Sequence, residues 1–330
     1  MKLEKIDIKS HSDEWNKFVA NNLPSEIDNS SIAHNPSLAH ILKDSFGYES
    51  EYYYLIENDE IIGLLPGFRI GNKYTSIPMF PTGGVFIRRG KVKLDIYKSI
   101  TDFLGKYEIR DFIKFSKFCN VSKVLCYLPL ENNTDSQLKQ LSSDKRNHIR
   151  KGYKNGLTAK HGGSELLDDF YNIYSYNMHH LGSPLIEKKF FLNLLENYKY
   201  GIVKVFICYY GNVPVGGSIV LSYFNLLEVS WASTLINYNK FKPNMVLYWE
   251  MIKFSIENGV SYFSFGRSTK NSGAHEFKLR WGALEQPLFF NYSNYTFDIR
   301  NLKPLTILWR KLPLSIANKI GPALRKFSRI

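Results

Sequence analysis

Val205-Phe206-Ile207-Cys208-Tyr209-Tyr210-Gly211-Asn212-Val213-Pro214-Val215-Gly216-Gly217-Ser218-Ile219-Val220 is an apolar run, a polar turn and a second apolar run entered through glycines. Gly-Asn between two β-rich runs marks a hairpin, because a tight turn needs residues that tolerate positive φ. The arrangement occurs once before, over Tyr52-Tyr53-Tyr54-Leu55-Ile56-Glu57-Asn58-Asp59-Glu60-Ile61-Ile62-Gly63-Leu64-Leu65, with Asn58-Asp59 at the turn. Each hairpin follows a stretch of helical periodicity, about 35–46 before the first and about 165–198 before the second. A unit that recurs once predicts an α/β protein of two tandem copies of one domain, residues 1–140 and 141–300.

The joint falls between Thr134 and Gly156. Ser142 or Ser143 can cap a helix that Gly156 closes. On that helix Arg146, Arg150 and Lys154 follow at i, i+4, i+8 and share one face. Such a face is either a solvated linker surface or a contact for phosphate or RNA. A second helix is marked by Asn244 as its cap, Met245 to Asn258 as its body and Gly259 at its end. Its broad apolar stripe predicts core.

The 330 residues suffice for two domains, and 44% apolar with 15% aromatic residues can fill both cores. No uncharged apolar stretch is long enough to span a bilayer. The charged N-terminus, Met1-Lys2-Leu3-Glu4-Lys5, does not read as a signal peptide. Cys119, Cys126 and Cys208 have apolar surroundings and no metal-type spacing, which predicts buried thiols in a reducing, cytoplasmic setting and no metal site. Adjacent His179 and His180 point different ways on a helix and make a poor ligand pair. The net charge of +13 predicts a polyanionic partner: nucleic acid, a phospholipid surface or a phosphate-bearing substrate. Residues 301–330 carry seven cations and no acid, interleaved with leucine, isoleucine and Trp309. Pro313 and Pro322 are expected to break this tail into short helices. The tail suits an anionic membrane face. It equally suits packing back on the protein with its lysines in solvent.

The chemistry concentrates near the C-terminal end, in Phe263-Ser264-Phe265-Gly266-Arg267-Ser268-Thr269 and Phe277-Lys278-Leu279-Arg280-Trp281-Gly282-Ala283. A buried β-run stops at a glycine, and a cation and two hydroxyls follow where α/β proteins place ligand contacts. No phosphate-binding loop, dinucleotide fingerprint or serine-nucleophile elbow occurs. Cations, hydroxyls and aromatics suit acyl transfer to an amine, since the amine is itself the nucleophile. Arg267 and Lys278 can clamp a phosphate or the oxyanion, Ser268 and Thr269 can orient it, and His275 or Glu276 can relay the proton. Glu276 can instead pair with Arg280 at i+4.

These segments resemble the FemAB-like branch of the GNAT-fold acyltransferases, and the resemblance covers most of the chain. It is carried by Lys145-Arg146-Asn147-His148-Ile149-Arg150-Lys151, Met178-His179-His180-Leu181-Gly182-Ser183-Pro184, Trp231-Ala232-Ser233, Phe265-Gly266-Arg267-Ser268-Thr269 and Phe277-Lys278 with Trp281-Gly282-Ala283. It implies two tandem GNAT-like domains, each a mixed, mostly antiparallel sheet flanked by helices. It implies acyl or aminoacyl transfer to an amine of a cell-envelope precursor, peptidoglycan or polysaccharide, with Lys278 at the position of a substrate-contacting lysine and Trp231 among the substrate-binding residues. The co-substrate would be aminoacyl-tRNA or acyl-CoA, with no permanently bound cofactor. Partners would be a phosphate-bearing envelope precursor, tRNA and an anionic membrane at the inner face, and not DNA. One departure stands out: Asn239-Lys240-Phe241-Lys242-Pro243-Asn244 has no glycine where GNAT proteins meet coenzyme A phosphates, which argues against an ordinary acetyl-CoA site. The alternatives are an acyl-CoA-dependent N-acetyltransferase acting on an amino sugar and a catalytically silent protein that binds envelope polysaccharide precursors.

Overall fold

A computed structural model of the chain describes residues 1–23, 32–91, 93–294 and 303–328. The N-terminal half runs β1 (Lys2–Ile6), α1 (Ser12–Asn21), α2 (Leu38–Phe46), β2 (Glu49–Ser50), β3 (Tyr52–Glu57), β4 (Glu60–Leu65), β5 (Gly67–Ile70), β6 (Lys73–Ser76), β7 (Phe86–Ile87), α3 (Lys93–Leu104), β8 (Tyr107–Asp111) and β9 (Phe118–Pro129). The C-terminal half continues with α4 (Thr134–Gln140), α5 (Ser143–Lys154), β10 (Leu157–Gly162), α6 (Leu167–His180), α7 (Lys188–Asn197), β11 (Val203–Tyr210), β12 (Val213–Tyr223), β13 (Leu226–Thr234), α8 (Pro243–Glu257), β14 (Tyr262–Thr269), α9 (Gly273–Leu279), β15 (Leu284–Tyr292), α10 (Lys303–Lys311) and α11 (Leu314–Ser328). This is the expected α/β architecture of tandem, mostly antiparallel sheets flanked by helices.

Both hairpins form where their turn residues require. Asn58 and Asp59 take φ of 51° and 60°, and Gly211 takes 58°, the left-handed values that a two-residue hairpin loop demands. The strands sort into a four-stranded sheet, β1-β3-β4-β7, and an eleven-stranded one, β10-β11-β12-β13-β14-β9-β15-β8-β6-β5-β2. The halves are therefore knitted together. Strand β9, which precedes the joint, lies between β14 and β15, antiparallel to both. Strand β15 in turn pairs with β8.

One aromatic core bridges the halves. Trp231 meets Phe80, Phe190 and Phe191 edge-on at 5.9, 5.4 and 5.2 Å, and Phe46 lies 5.2 Å from Phe190. Edge-to-face aromatic pairs add about 0.5–1.5 kcal/mol each beyond burial. A second core lies between the sheet and α5 and α8. Gly152 permits that packing: a Cβ there would stand 2.6 Å from Val246 Cγ2.

Helix boundaries depart from expectation in three places. The periodic stretch before the second hairpin is two helices, α6 and α7. The amides of Gly182 and Ser183 turn back to the carbonyls of His179 and Met178, and Gly182 takes φ 71°, a glycine C-cap that Pro184 then enforces. Helix α8 starts two residues early: Pro243 fills its first turn, Lys242 is left-handed, and Asn244 donates its side-chain amide to Thr234 Oγ1 instead of capping. In the tail, the chain breaks at Pro313 but α11 runs on through Pro322. That proline costs one intrahelical bond, while the adjacent Gly321 seats against Leu185. Residues 301–302 and 329–330, Arg329 included, lie outside the described residues. No helix among the described residues is long and apolar enough to cross a membrane.

Candidate functional site

Strands β13 and β14 are parallel and share only three register pairs, the last being Glu228 with Ser264. Beyond it each strand turns to its other neighbour, and the register of β14 on β9 slips between Ser264 and Arg267. Gly266 makes the bulge possible with φ 71°. At this fork the sheet buries a carboxylate and an ammonium.

Glu228 is 3% exposed. Ser230 Oγ lies 3.4 Å from its Oε1, Ser264 Oγ donates to its Oε2 at 3.3 Å, and Gly266 N donates in turn to Ser264 Oγ at 3.1 Å. Burial raises the carboxyl from 4.5 to about 7, against the opposing pull of the two serine hydroxyls and of Lys278 and Arg267. Lys278, 7% exposed, reaches up from α9 and donates to the carbonyls of Gly266 and Arg267 at 3.0 and 2.9 Å. Burial lowers its ammonium from 10.5 to about 8; Cys126 and Glu228 oppose the fall and Arg267 adds to it. Among the described residues the ammonium donates to these two bulge carbonyls, which leaves its third proton for a reactant.

Arg267 is half-buried and lies over the ring of Phe290, 5.7 Å from its centroid, as does Arg110. Ser268 is buried on the same strand and Thr269 is exposed, accepting from Lys123 Nζ at 2.7 Å. The Lys278 ammonium thus meets the backbone of Arg267, while the Arg267 guanidinium, over Phe290, acts on it at longer electrostatic range. His275 stands apart in the first turn of α9, where Asn271 N donates to its Nδ1 and its Nε2 lies 2.7 Å from Glu285 Oε2. Glu276 pairs with Arg280 at 3.4 Å. Trp231 belongs to the aromatic core between the halves.

The α5 residues form a separate surface. Ser142 caps the helix by accepting from Lys145 N. Arg146 donates to the carbonyls of Lys139 and Leu141 at 3.0 and 2.8 Å, closing the end of α4. Arg150 and Lys154 are exposed, and Arg146 and Arg150 line two shallow pockets over α4 and α5.

Sequence reasoning missed two residues. Glu228 carried a signal, a lone acid inside Leu226-Leu227-Glu228-Val229, where an unpaired carboxylate is seldom buried. Lys145 was hidden in a basic run, yet it falls with Ile149 and Gly152 on the inward face of α5. Its Nζ lies over the rings of Phe277 and Trp281 at 5.0 and 5.1 Å and 3.9 Å from Met245 Sδ, and burial lowers its pKa. The aromatic faces offset part of the cost of burying the charge. This contact ties α5 to α9, the helix that carries Lys278.

The segment that joins β13 to α8 bears on the donor. It winds into a 3₁₀ turn, Ile236–Phe241. Lys242 N is spent on Asn239 O at 3.1 Å and Met245 N on Lys242 O at 3.0 Å. These two amides are therefore not available to a pyrophosphate.

Residues 143–279 match the acetyltransferase (GNAT) domain family. No curated protein matches the chain. Among solved structures, the chain is similar to FemX, with a TM-score of 0.63 at 12% identity over 94% of this chain and 100% of that one. It is similar to the C-terminal domain of a protein described as a lysylphosphatidylglycerol synthetase, from Agrobacterium fabrum, with a TM-score of 0.54 at 8% identity over 86% of this chain and 92% of that one. A tandem GNAT protein from the clavulanic acid biosynthesis pathway gives 0.54 at 5% identity over 90% and 99%. At such identities the likeness is one of fold.

Proposed function

We propose that this chain, a tandem GNAT-fold acyltransferase of FemAB-like type, moves an acyl or aminoacyl group onto an amine of a phosphate-bearing cell-envelope precursor, with Glu228 as the proton acceptor. The observation that carries the reading is the buried Glu228 carboxyl at the β13–β14 fork, bonded to Ser264 and within electrostatic range of the buried Lys278 ammonium that holds the bulge. Burial raises the carboxyl to about 7. A general base works best when its pKa lies near the working pH.

The amine attacks the carbonyl carbon of the donor. The carbonyl oxygen takes up negative charge, which the remaining Lys278 proton and the Arg267 guanidinium stabilise. Glu228 takes the proton that the amine nitrogen sheds. The C–N bond persists, the bond to the donor's leaving group breaks, and the proton passes on to that group. Phosphates on the acceptor suit a chain of net charge +13. The name of the Agrobacterium fabrum neighbour, described as a lysylphosphatidylglycerol synthetase, supports an aminoacyl donor and an envelope acceptor.

A second reading, acetylation of an amino sugar from acyl-CoA, is favoured by the GNAT match over 143–279 and disfavoured by the internally bonded loop before α8. Incubating the protein with acetyl-CoA or a charged tRNA pool, together with amine acceptors that bear or lack a diphosphate, and reading products by mass spectrometry separates the two. Glu228→Gln is expected to slow the productive combination by about 10²–10⁴-fold. A variant that turns over at the wild-type rate refutes the assignment of the base. Binding of a precursor without any product returns the protein to a silent binding role.

A further inference from the structure

The tail is doubly faced. Both α10 and α11 lean on α6. Toward the protein they turn Trp309 and Ala317, which are buried, and Gly321, which packs on Leu185. The seam is tied by His179 Nε2 to the Leu312 carbonyl at 2.8 Å and by Arg310 to the Leu181 carbonyl at 3.4 Å. Toward solvent the helices turn aliphatic side chains: Leu305, Ile307, Leu308, Ile316, Ile320 and Leu324 are between 39% and 60% exposed. Ile316, Ile320 and Leu324 recur at i, i+4, i+8 and make one stripe. Of the two readings of the tail, a membrane face or packing back, the fold shows the tail packed on α6; aliphatic side chains still remain on its outer side, because the inward face uses small residues and one indole.

We propose that this stripe and the cations beside it form the surface by which the protein lies on an anionic lipid bilayer. An outward aliphatic row of this extent on a helix pair is an interaction surface. Its setting selects the occupant. Arg310, Lys311 and Lys319 are exposed, and the whole of 301–330 holds seven cations without one acid. A second copy of the chain would bring like charge against like charge, whereas phosphate headgroups neutralise it while the leucines and isoleucines enter the acyl boundary. Trp309 takes no part in this contact, since it is buried against the protein. The inference is independent of which acyl group is moved.

Flotation of the purified full chain with phosphatidylcholine vesicles, with and without phosphatidylglycerol, tests it. Binding is expected only to the vesicles with phosphatidylglycerol, and it should weaken with salt. The exposed-residue variants Leu308→Glu/Ile316→Glu/Ile320→Glu and Lys311→Glu/Lys319→Glu should each lower the partition coefficient by roughly tenfold or more, with the melting temperature unchanged. Leu94→Glu, on the exposed aliphatic Leu94 of α3, should bind as the wild type does. Equal binding to neutral vesicles, no binding at all, or wild-type binding by both tail variants overturns the proposal. So does a light-scattering mass showing a dimer that the tail variants dissolve.

Discussion

Replacing Glu228 by glutamine should stabilise the protein in alkaline solution and slow it as an enzyme. A carboxyl raised from 4.5 to about 7 binds its proton more tightly in the folded chain than in the unfolded one. Its stabilising contribution is complete below about pH 4.5 and is lost as pH rises through 7. The loss corresponds to about 3 kcal/mol. Glutamine keeps a similar shape, can accept from one of the two serines through its carbonyl oxygen and donate to the other through its amide, and never ionises. Part of the gain is returned, because Lys278 loses a favourable neighbour and its own charge, already lowered to about 8, becomes costlier. The expected net gain at pH 8.5 is therefore on the order of 1–2 kcal/mol, falling to near zero at pH 4.5. Urea unfolding of both proteins across that range, followed by tryptophan fluorescence, measures it. If the stability difference between wild type and Glu228→Gln does not change with pH, Glu228 is not a buried acid titrating near neutrality, and its role as base falls too.

Gly266→Ala should cost about 1–2 kcal/mol, because an L residue at φ 71° with Val229 O 3.2 Å from its Cβ is strained; activity should fall with it, since the Gly266 carbonyl positions Lys278. Thermal melts and turnover check both. Gly152→Ala should destabilise the α5–α8 contact despite alanine's helix preference of about 1 kcal/mol, because its Cβ meets Val246 at 2.6 Å; a raised melting temperature would contradict the close approach. Burial pushes the Cys208 thiol up to about 12 and raises Cys126, so iodoacetamide at pH 8 should leave both unmodified in the folded protein while labelling them in urea, as peptide mass spectrometry would read.

The elements with local signatures were legible. Turn pairs at Asn58-Asp59 and Gly211-Asn212 marked the hairpins, and Ser142 and Gly156 bracketed α5. Gly266, read as the end of its β-run, is instead a bulge inside β14, which continues to Thr269 because pairing with β9 resumes beyond the slip. Buried Cys126 and Cys208 agree with their apolar setting, while Cys119 is only half-buried. What depends on distant pairing was not legible. Nothing in Phe118–Pro129 announces that it lies between strands more than a hundred residues later. Glu228 comes within electrostatic range of Lys278 only because β13, β14 and α9 converge, so its identity as a candidate base had to await the fold. The cation stripe of α5 shows the limit of periodicity. Arg146, Arg150 and Lys154 do lie along one helix, but Arg146 spends its guanidinium on two backbone carbonyls, and the buried cation of that helix is its neighbour Lys145.

The placement of β9 has a consequence for synthesis. A ribosome releases Phe118–Pro129 well before Tyr262–Thr269 and Leu284–Tyr292, the two segments that flank it. Until both emerge, the segment's backbone donors and acceptors have no native sheet partner, and the first half cannot complete its native sheet alone. Release of a stalled chain before residue 292 should thus yield an aggregation-prone fragment rather than a stable half-protein, so the tandem halves are folding partners rather than beads on a string.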